Sequence, residues 1–313
     1  MIRICIIALF LFSEFIQAQD VHYSQFDKTK SLINPSLIAN QNEDYEIQLQ
    51  RRSQWASVTV PFNTFSLSFN VKEVYKTFSV GATILNDVAG DSHFSTDGLG
   101  ISLVHSFSTK ENSLAIGLQT AIYQRRVDYD DLVFIVDEDF PNTKFSFFDI
   151  GLGISNYKIV DRNSAFLVGI SFFHLNMPKQ SLVSNDQVVL SPKYVLHSTY
   201  FTKVSPKIDI APTFYASSQN KDKEFIIGSG ISYKLNDEVN LKSGIYSRIK
   251  DAFFVTLGMQ KANLEAIISY DINTSSLANA SNSMGGFEFS ISYGWSIVKE
   301  TKEVKQKICP KYL

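Results

Sequence analysis

Gly286-Phe287-Glu288-Phe289-Ser290-Ile291-Ser292-Tyr293-Gly294-Trp295-Ser296-Ile297 places every large apolar or aromatic side chain on one parity and every small or polar one on the other. A period of two belongs to an extended strand, whose successive side chains point to opposite faces. The same division recurs upstream. Phe225, Ile227, Ile231, Tyr233 and Leu235 stand against Glu224, Gly228, Gly230, Ser232 and Lys234. Phe65, Leu67, Phe69 and Val71 stand against Thr64, Ser66, Ser68 and Asn70. Leu264, Ala266, Ile268, Tyr270 and Ile272 oppose Asn263, Glu265, Ser269 and Asp271, with Ile267 the one exception. In a soluble sandwich the large face is a core; in a membrane barrel it faces lipid and the small polar face lines the interior.

Strand length and loop rhythm separate the two. The alternation marks fourteen segments, at 45–52, 62–72, 77–86, 98–108, 112–126, 145–158, 163–175, 193–203, 207–217, 223–235, 238–248, 251–260, 263–272 and 286–298. Most reach the ~9–11 residues that a tilted membrane strand needs, where soluble strands centre on about five or six. Turns after the even segments are short, as at Asp161-Arg162 and Asn236-Asp237, while most odd segments lead into longer loops such as 127–144 and 176–192. The expected fold is therefore all-β, a transmembrane antiparallel β-barrel of about 14 strands. Long loops then face outward, short turns and both termini face the periplasm, and the location is the cell outer membrane. Residues 45–298 form the barrel, 19–44 an ordered segment that caps the periplasmic mouth or enters the lumen, and 299–313 a short periplasmic tail.

Composition agrees. With 31 acidic and 29 basic residues among 313 the chain is nearly neutral, which gives no electrostatic case for nucleic acid. No later stretch is apolar enough for a membrane helix. Residues 1–18 carry Arg3, an apolar run from Ile4 to Ile16 and a small residue at Ala18, the pattern of a secretory signal peptide. Removing it leaves Cys309 as the single cysteine, so no internal disulfide holds the fold.

Several stretches carry a family resemblance. Tyr23-Ser24-Gln25-Phe26, Asn34-Pro35-Ser36, Arg51-Arg52-Ser53-Gln54-Trp55 and Pro61-Phe62-Asn63-Thr64 open it. Asn86-Asp87-Val88-Ala89-Gly90, Ile122 to Tyr129, Ser269 to Thr274 and Gly285 to Phe289 continue it, and Cys309-Pro310-Lys311-Tyr312-Leu313 closes it. In this order they resemble the PorP/SprF family, outer-membrane proteins of Bacteroidota tied to the type IX secretion system and gliding motility. Ser36 stands where the family usually has Ala, and Leu313 where an aromatic is expected. The resemblance implies a non-enzymatic protein that supports export and surface anchoring of adhesin cargo. Its implied partners are outer-membrane lipid and periplasmic and lipoprotein components of the secretion system. A porin-like solute channel is the alternative.

Chemical constellations are sparse. His22, His93, His105, His174 and His197 are dispersed with no metal-ligand spacing, no nucleophile elbow singles out a serine, and no nucleotide loop is present. The expectation is no catalytic residue, no cofactor and no metal; Asp128 to Asp139 reads as a solvated acidic loop rather than a calcium site. Partner-binding candidates are Trp55, Pro61 and Phe62 on the first outer loop, which equally suit an interfacial aromatic belt. Arg125 and Arg126, with Arg51 and Arg52, either clamp a carboxylate or brace the wall with ion pairs. In the tail, Lys305, Lys307, Cys309, Pro310 and Tyr312 form a candidate docking peptide, the alternative being a disordered extension.

Overall fold

A sheet whose strands are apolar on one face and polar on the other must cover the apolar face and satisfy its two edges, and closure does the second outright. The computed structural model of the chain describes residues 20–54, 60–90, 94–127, 143–181, 188–275 and 284–297. Over these, fourteen strands close into one antiparallel barrel in which each pairs with its neighbours in sequence and the first pairs with the last. They are β1 (Tyr45–Gln54), β2 (Phe62–Tyr75), β3 (Phe78–Ala89), β4 (Phe94–Ser108), β5 (Asn112–Arg126), β6 (Lys144–Ile159) and β7 (Ser164–Phe173). The other half is β8 (Lys193–Ser205), β9 (Ile208–Gln219), β10 (Asp222–Lys234), β11 (Val239–Arg248), β12 (Ala252–Lys261), β13 (Leu264–Asn273) and β14 (Met284–Trp295). Closure disposes of the sandwich reading.

The faces fall as the alternation requires. Phe69, Ile101, Leu118, Ile170, Ile227, Ile245, Leu257, Ile268 and Phe287 are exposed around the outside, while Gln48, Gln50, Ser66, Ser102, Gln119, Ser155, Ser269, Glu288 and Ser290 are buried inside. An apolar belt around a polar interior is the inverse of a soluble core and fits lipid outside. Near the short turns the belt is aromatic: Trp295 stacks on Tyr45 at 5.3 Å and on Tyr293 at 5.7 Å between ring centroids. Ile267 breaks the alternation because it points inward, where it is 7% exposed and lines the lumen's cavity.

Two connections are shorter than the sequence suggests. β4 starts at Phe94 rather than residue 98, because Ser95, Thr96 and Asp97 continue the ladder to both β3 and β5. β9 and β10 are joined by Asn220 and Lys221 alone, Asn220 taking the left-handed φ of 53° that a tight hairpin needs. The long connections therefore follow β1, β5, β7 and β13, all at one rim.

Candidate functional site

The barrel is filled by its own N-terminal segment. From Asp44 at the short-turn rim, residues 43 to 20 run back up the lumen through a 3-10 helix (Pro35–Asn40) and a single helical turn, α1 (Lys30–Ile33), to Asp20 at the long-loop rim. The side on which β1 begins thus does not fix the side on which the preceding segment starts.

Midway, Asn34 and Pro35 start the 3-10 helix, proline supplying a fixed φ where no N–H is needed. Asn34 Oδ1 accepts from Ser36 N at 3.0 Å and Ser36 Oγ at 2.6 Å. Its Nδ2 donates across the lumen to the carbonyls of Ile154 at 3.0 Å and Ile170 at 3.1 Å and lies 3.1 Å from His197 Nε2. This close seat requires glycine in the wall: a Cβ on Gly117 would meet Ser36 N at 2.6 Å, and one on Gly153 would overlap Asn34 Oδ1.

Higher up, the seat becomes ionic. Glu288 accepts the main-chain N–H groups of Ser24 at 2.8 Å and Gln25 at 2.9 Å, together with Gln50 Nε2 at 2.6 Å. Arg52, with no exposed surface, pairs with Asp271 at 2.7 Å and Glu288 at 3.0 Å and also bonds Ser24 Oγ. Arg248 completes the cluster, 3.4 Å from Asp271, 2.9 Å from Ser24 Oγ and 2.8 Å from Glu224, the last an ion contact without hydrogen-bond alignment. With Asp251 also 3.2 Å from Arg248, two buried guanidiniums thus face four carboxylates, an arrangement that survives in a low dielectric only because each charge is paired and hydrogen-bonded.

At the rim, His174 lies between Asp20 Oδ2 at 2.6 Å and Asp149 Oδ1 at 2.9 Å. Burial disfavours the charged imidazole, but the carboxylate of Asp20, then Asp149, outweighs it and raises the pKa to about 9. On one side of the lumen Phe26, Ile33 and Leu37 of the plug pack with Phe173, Val195, Tyr215, Ile226 and Phe254. Below that contact a cavity of about 850 Å³ opens towards the short-turn rim, from Gln25 and Phe26 down to Asp161, Lys203 and Gln260.

The sequence candidates fare unevenly. Pro61 and Phe62 lie half-buried at the long-loop rim. Arg125 and Arg126 are parted by the strand's alternation: Arg125 is buried in the mouth of the lumen against Gln180 and the Phe147 ring, whereas Arg126 is exposed and paired with Asp97 at 2.9 Å. They form no joint clamp. Arg52 is a brace, as one of the two readings had it. Trp55, Lys305, Lys307, Cys309, Pro310 and Tyr312, the signal segment and the acidic loop from Asp128 lie outside the described residues. Among the described residues no cluster of histidine, cysteine and carboxylates is arranged to hold a metal. The residues that do most in the lumen, Ser24, Asn34, His174, Arg248, Asp271 and Glu288, are not among the site candidates drawn from sequence, although Ser24, Asn34, Asp271 and Glu288 lie in the stretches that carry the family resemblance. The available signal was a charged residue interrupting a small, polar strand face, as Glu288 does among serines and Asp271 beside Ser269.

Fold and lumen together define an outer-membrane β-barrel with a plug formed by its own chain. Residues 16–293 match the family described as type IX secretion system membrane protein PorP/SprF, and the chain belongs to that family. Among solved structures the fold resembles the Ralstonia pickettii toluene transporter TbuX, 10% identical, with a TM-score of 0.54 over 86% of this chain and 93% of that one. It also resembles the Pseudomonas putida toluene transporter TodX, 9% identical, with a TM-score of 0.52 over 85% of this chain and 92% of that one. At such identity the likeness concerns the fold alone. No curated protein matches the chain by sequence.

Proposed function

We propose that this barrel is a non-enzymatic outer-membrane component of type IX secretion that supports export of adhesin cargo and anchors it at the cell surface. In this reading the leader 1–18 is removed, the long connections after β1, β5, β7 and β13 face outward, and the short turns and the tail 299–313 meet periplasmic and lipoprotein components of the machinery. Family membership supports the setting. The observation that carries the choice of an anchor over a solute channel is the plug. Residues between Asp20 and Asn40 bond to β1 and β2, to β6, β7 and β8, and to β11, β13 and β14, so the lumen is occupied across its width.

Removing the protein from cells tests the reading: secreted adhesin is expected to leave washed cells for the medium, with export reduced. Retention unchanged in its absence overturns it. Purified protein in planar bilayers separates the rival, since the plugged barrel is expected to show no large steady conductance.

A further inference from the structure

Among the described residues β6 has the one long unpaired edge in the wall. It pairs with β5 over its whole length, from Lys144 opposite Arg126 to Lys158 opposite Asn112. With β7 it pairs only from Leu152 downward, so residues 144–151 have no strand beside them on that side. A tilted barrel staggers neighbouring strands by only a residue or two at a level rim, so eight residues are not stagger.

The cause is local. After Phe173 the chain turns off at His174, whose φ is +57°, and the following segment folds inward over the mouth. There Gln180 bonds Arg125, Lys179 bridges Val189, and Leu190 is buried.

The lower part of this edge already shows what it accepts. Leu175 N donates to Ile150 O at 3.1 Å. The carboxamide of Asn176 then acts as a peptide group, accepting from Ile150 N at 3.2 Å and donating to Phe148 O at 2.6 Å. In an antiparallel ladder the residues whose N–H and C=O point to one side alternate, so Phe148, Ser146 and Lys144 present theirs to the same side as Ile150. Among the described residues nothing pairs with the main chain of Ser146 or Lys144 there.

We propose that this edge takes an extended segment of a secreted polypeptide as an added strand, continuing upward from the place where Asn176 stops. The proposal rests on the anchoring function above and names its site. Main-chain bonds supply the affinity in strand addition, and flanking pockets supply the preference. Here the mouth-facing side carries a row of rings, Phe145 to Phe147 at 6.1 Å and Phe147 to Tyr123 at 5.3 Å, with the Arg125 guanidinium over Phe147. The segment that fits is extended, free of proline at its donor positions, and apolar or aromatic at alternate residues.

Ser146→Pro tests this in cells with the full chain. It removes one N–H that points away from β5 and blocks the rung beside it, leaving the β5–β6 bonds in place. Retention of secreted adhesin on washed cells is expected to fall roughly tenfold, the scale of losing one or two main-chain hydrogen bonds. Barrel level and heat-modifiable migration should stay normal, and Ser146→Ala, which keeps the donor, should restore retention. If Ser146→Pro lowers the barrel level, Lys144→Pro, one rung nearer the rim, is read in the same way. Normal retention with a normally assembled proline variant, in cells where removing the protein abolishes retention, overturns the added strand and leaves the anchoring function standing. Retention unaffected even by removal of the protein overturns both.

Discussion

The plug is held by two different chemistries at two heights. Around Ser24 the wall offers acidic and basic groups, Arg52, Arg248, Asp271 and Glu288 buried together and Glu224 half-buried beside them. Around Asn34 it offers neutral carbonyls, a histidine and two glycines, Gly117 against the plug's main chain at Pro35 and Ser36 and Gly153 against the side chains of Asn34 and Pro35. An ionic seat is hard to leave because removing one partner strands the others without water; a neutral seat depends on fit and loses little per bond. The difference says that the upper seat fixes whether the plug is docked, and the lower seat fixes its register along the lumen.

The largest effect should come from breaking the ionic seat. Arg52→Met leaves Glu288 and part of Asp271 without a counter-charge in the interior, at a cost of roughly 3–5 kcal/mol. The temperature at which the barrel unfolds in detergent should drop clearly, and bilayer conductance should appear as the plug leaves. Adding Glu288→Gln to Arg52→Met should recover part of the loss, because the remaining uncompensated charge is then reduced. An Arg52→Met barrel as stable and as closed as the parent would show that the cluster is decoration.

Next comes the neutral seat. Gly117→Val puts side-chain carbon where Ser36 N and the Pro35 main chain lie, an overpacking of roughly 1–3 kcal/mol. The wall strand itself has no reason to fail, so the expected signature is a barrel of normal level whose segment 30–40 is cut faster by added protease. A loss larger than that of Arg52→Met would reverse the ranking of the two seats.

Asn34→Ala sharpens the same point with a smaller change. It removes the cap on the 3-10 helix and the two bonds to Ile154 and Ile170, roughly 1–2 kcal/mol. Plug protection measured by hydrogen exchange should weaken around residues 34–40 and remain near Ser24. Equal weakening at both heights would mean that the plug docks as one cooperative unit, with no separate upper and lower seat.

These two seats also show what sequence can and cannot yield. The wall was legible because a strand's alternation is local: Ser290 and Ile291 declare their faces without knowing their neighbours, and all fourteen strands follow from such pairs. Misjudged ends came where polar runs such as Ser95 to Asp97 continue a ladder that only pairing reveals. The seats were illegible because their members are remote. Ser24 meets residues 247 and 264 positions away, and although Asp271 and Glu288 each interrupt a small polar face, nothing local says that they meet at Ser24. The apolar residues of 21–43 announced an ordered segment, but its course past Gly117 and Gly153 depends on a lumen that exists only once the barrel has closed.

The smallest effect belongs to the plug's tip and is a matter of pH. His174 joins Asp20 of the plug to Asp149 of the wall, with Lys193 3.6 Å from Asp20 as a second cation. In the folded protein the His174 pKa stands at about 9, above the ~6.5 of a free imidazole, so its contribution to docking is complete below the free value and is lost as pH rises through about 9. Asp20 shifts the other way: burial would raise it, but His174 and then Lys193 overcome this and lower it, so its share is lost only in strong acid. Raising the pH through about 9 should therefore free the tip alone, because Ser24 and Gln25 remain bonded to Glu288. Hydrogen exchange at residues 20–23, corrected for the intrinsic rate, should accelerate across that interval while the Ser24 and Gln25 amides keep their protection. His174→Gln, which cannot charge, should show the faster exchange already at neutral pH and no further rise. Protection at the tip that is indifferent to pH in the parent would mean that Lys193 and the Gln219 contact hold Asp20 without the imidazole.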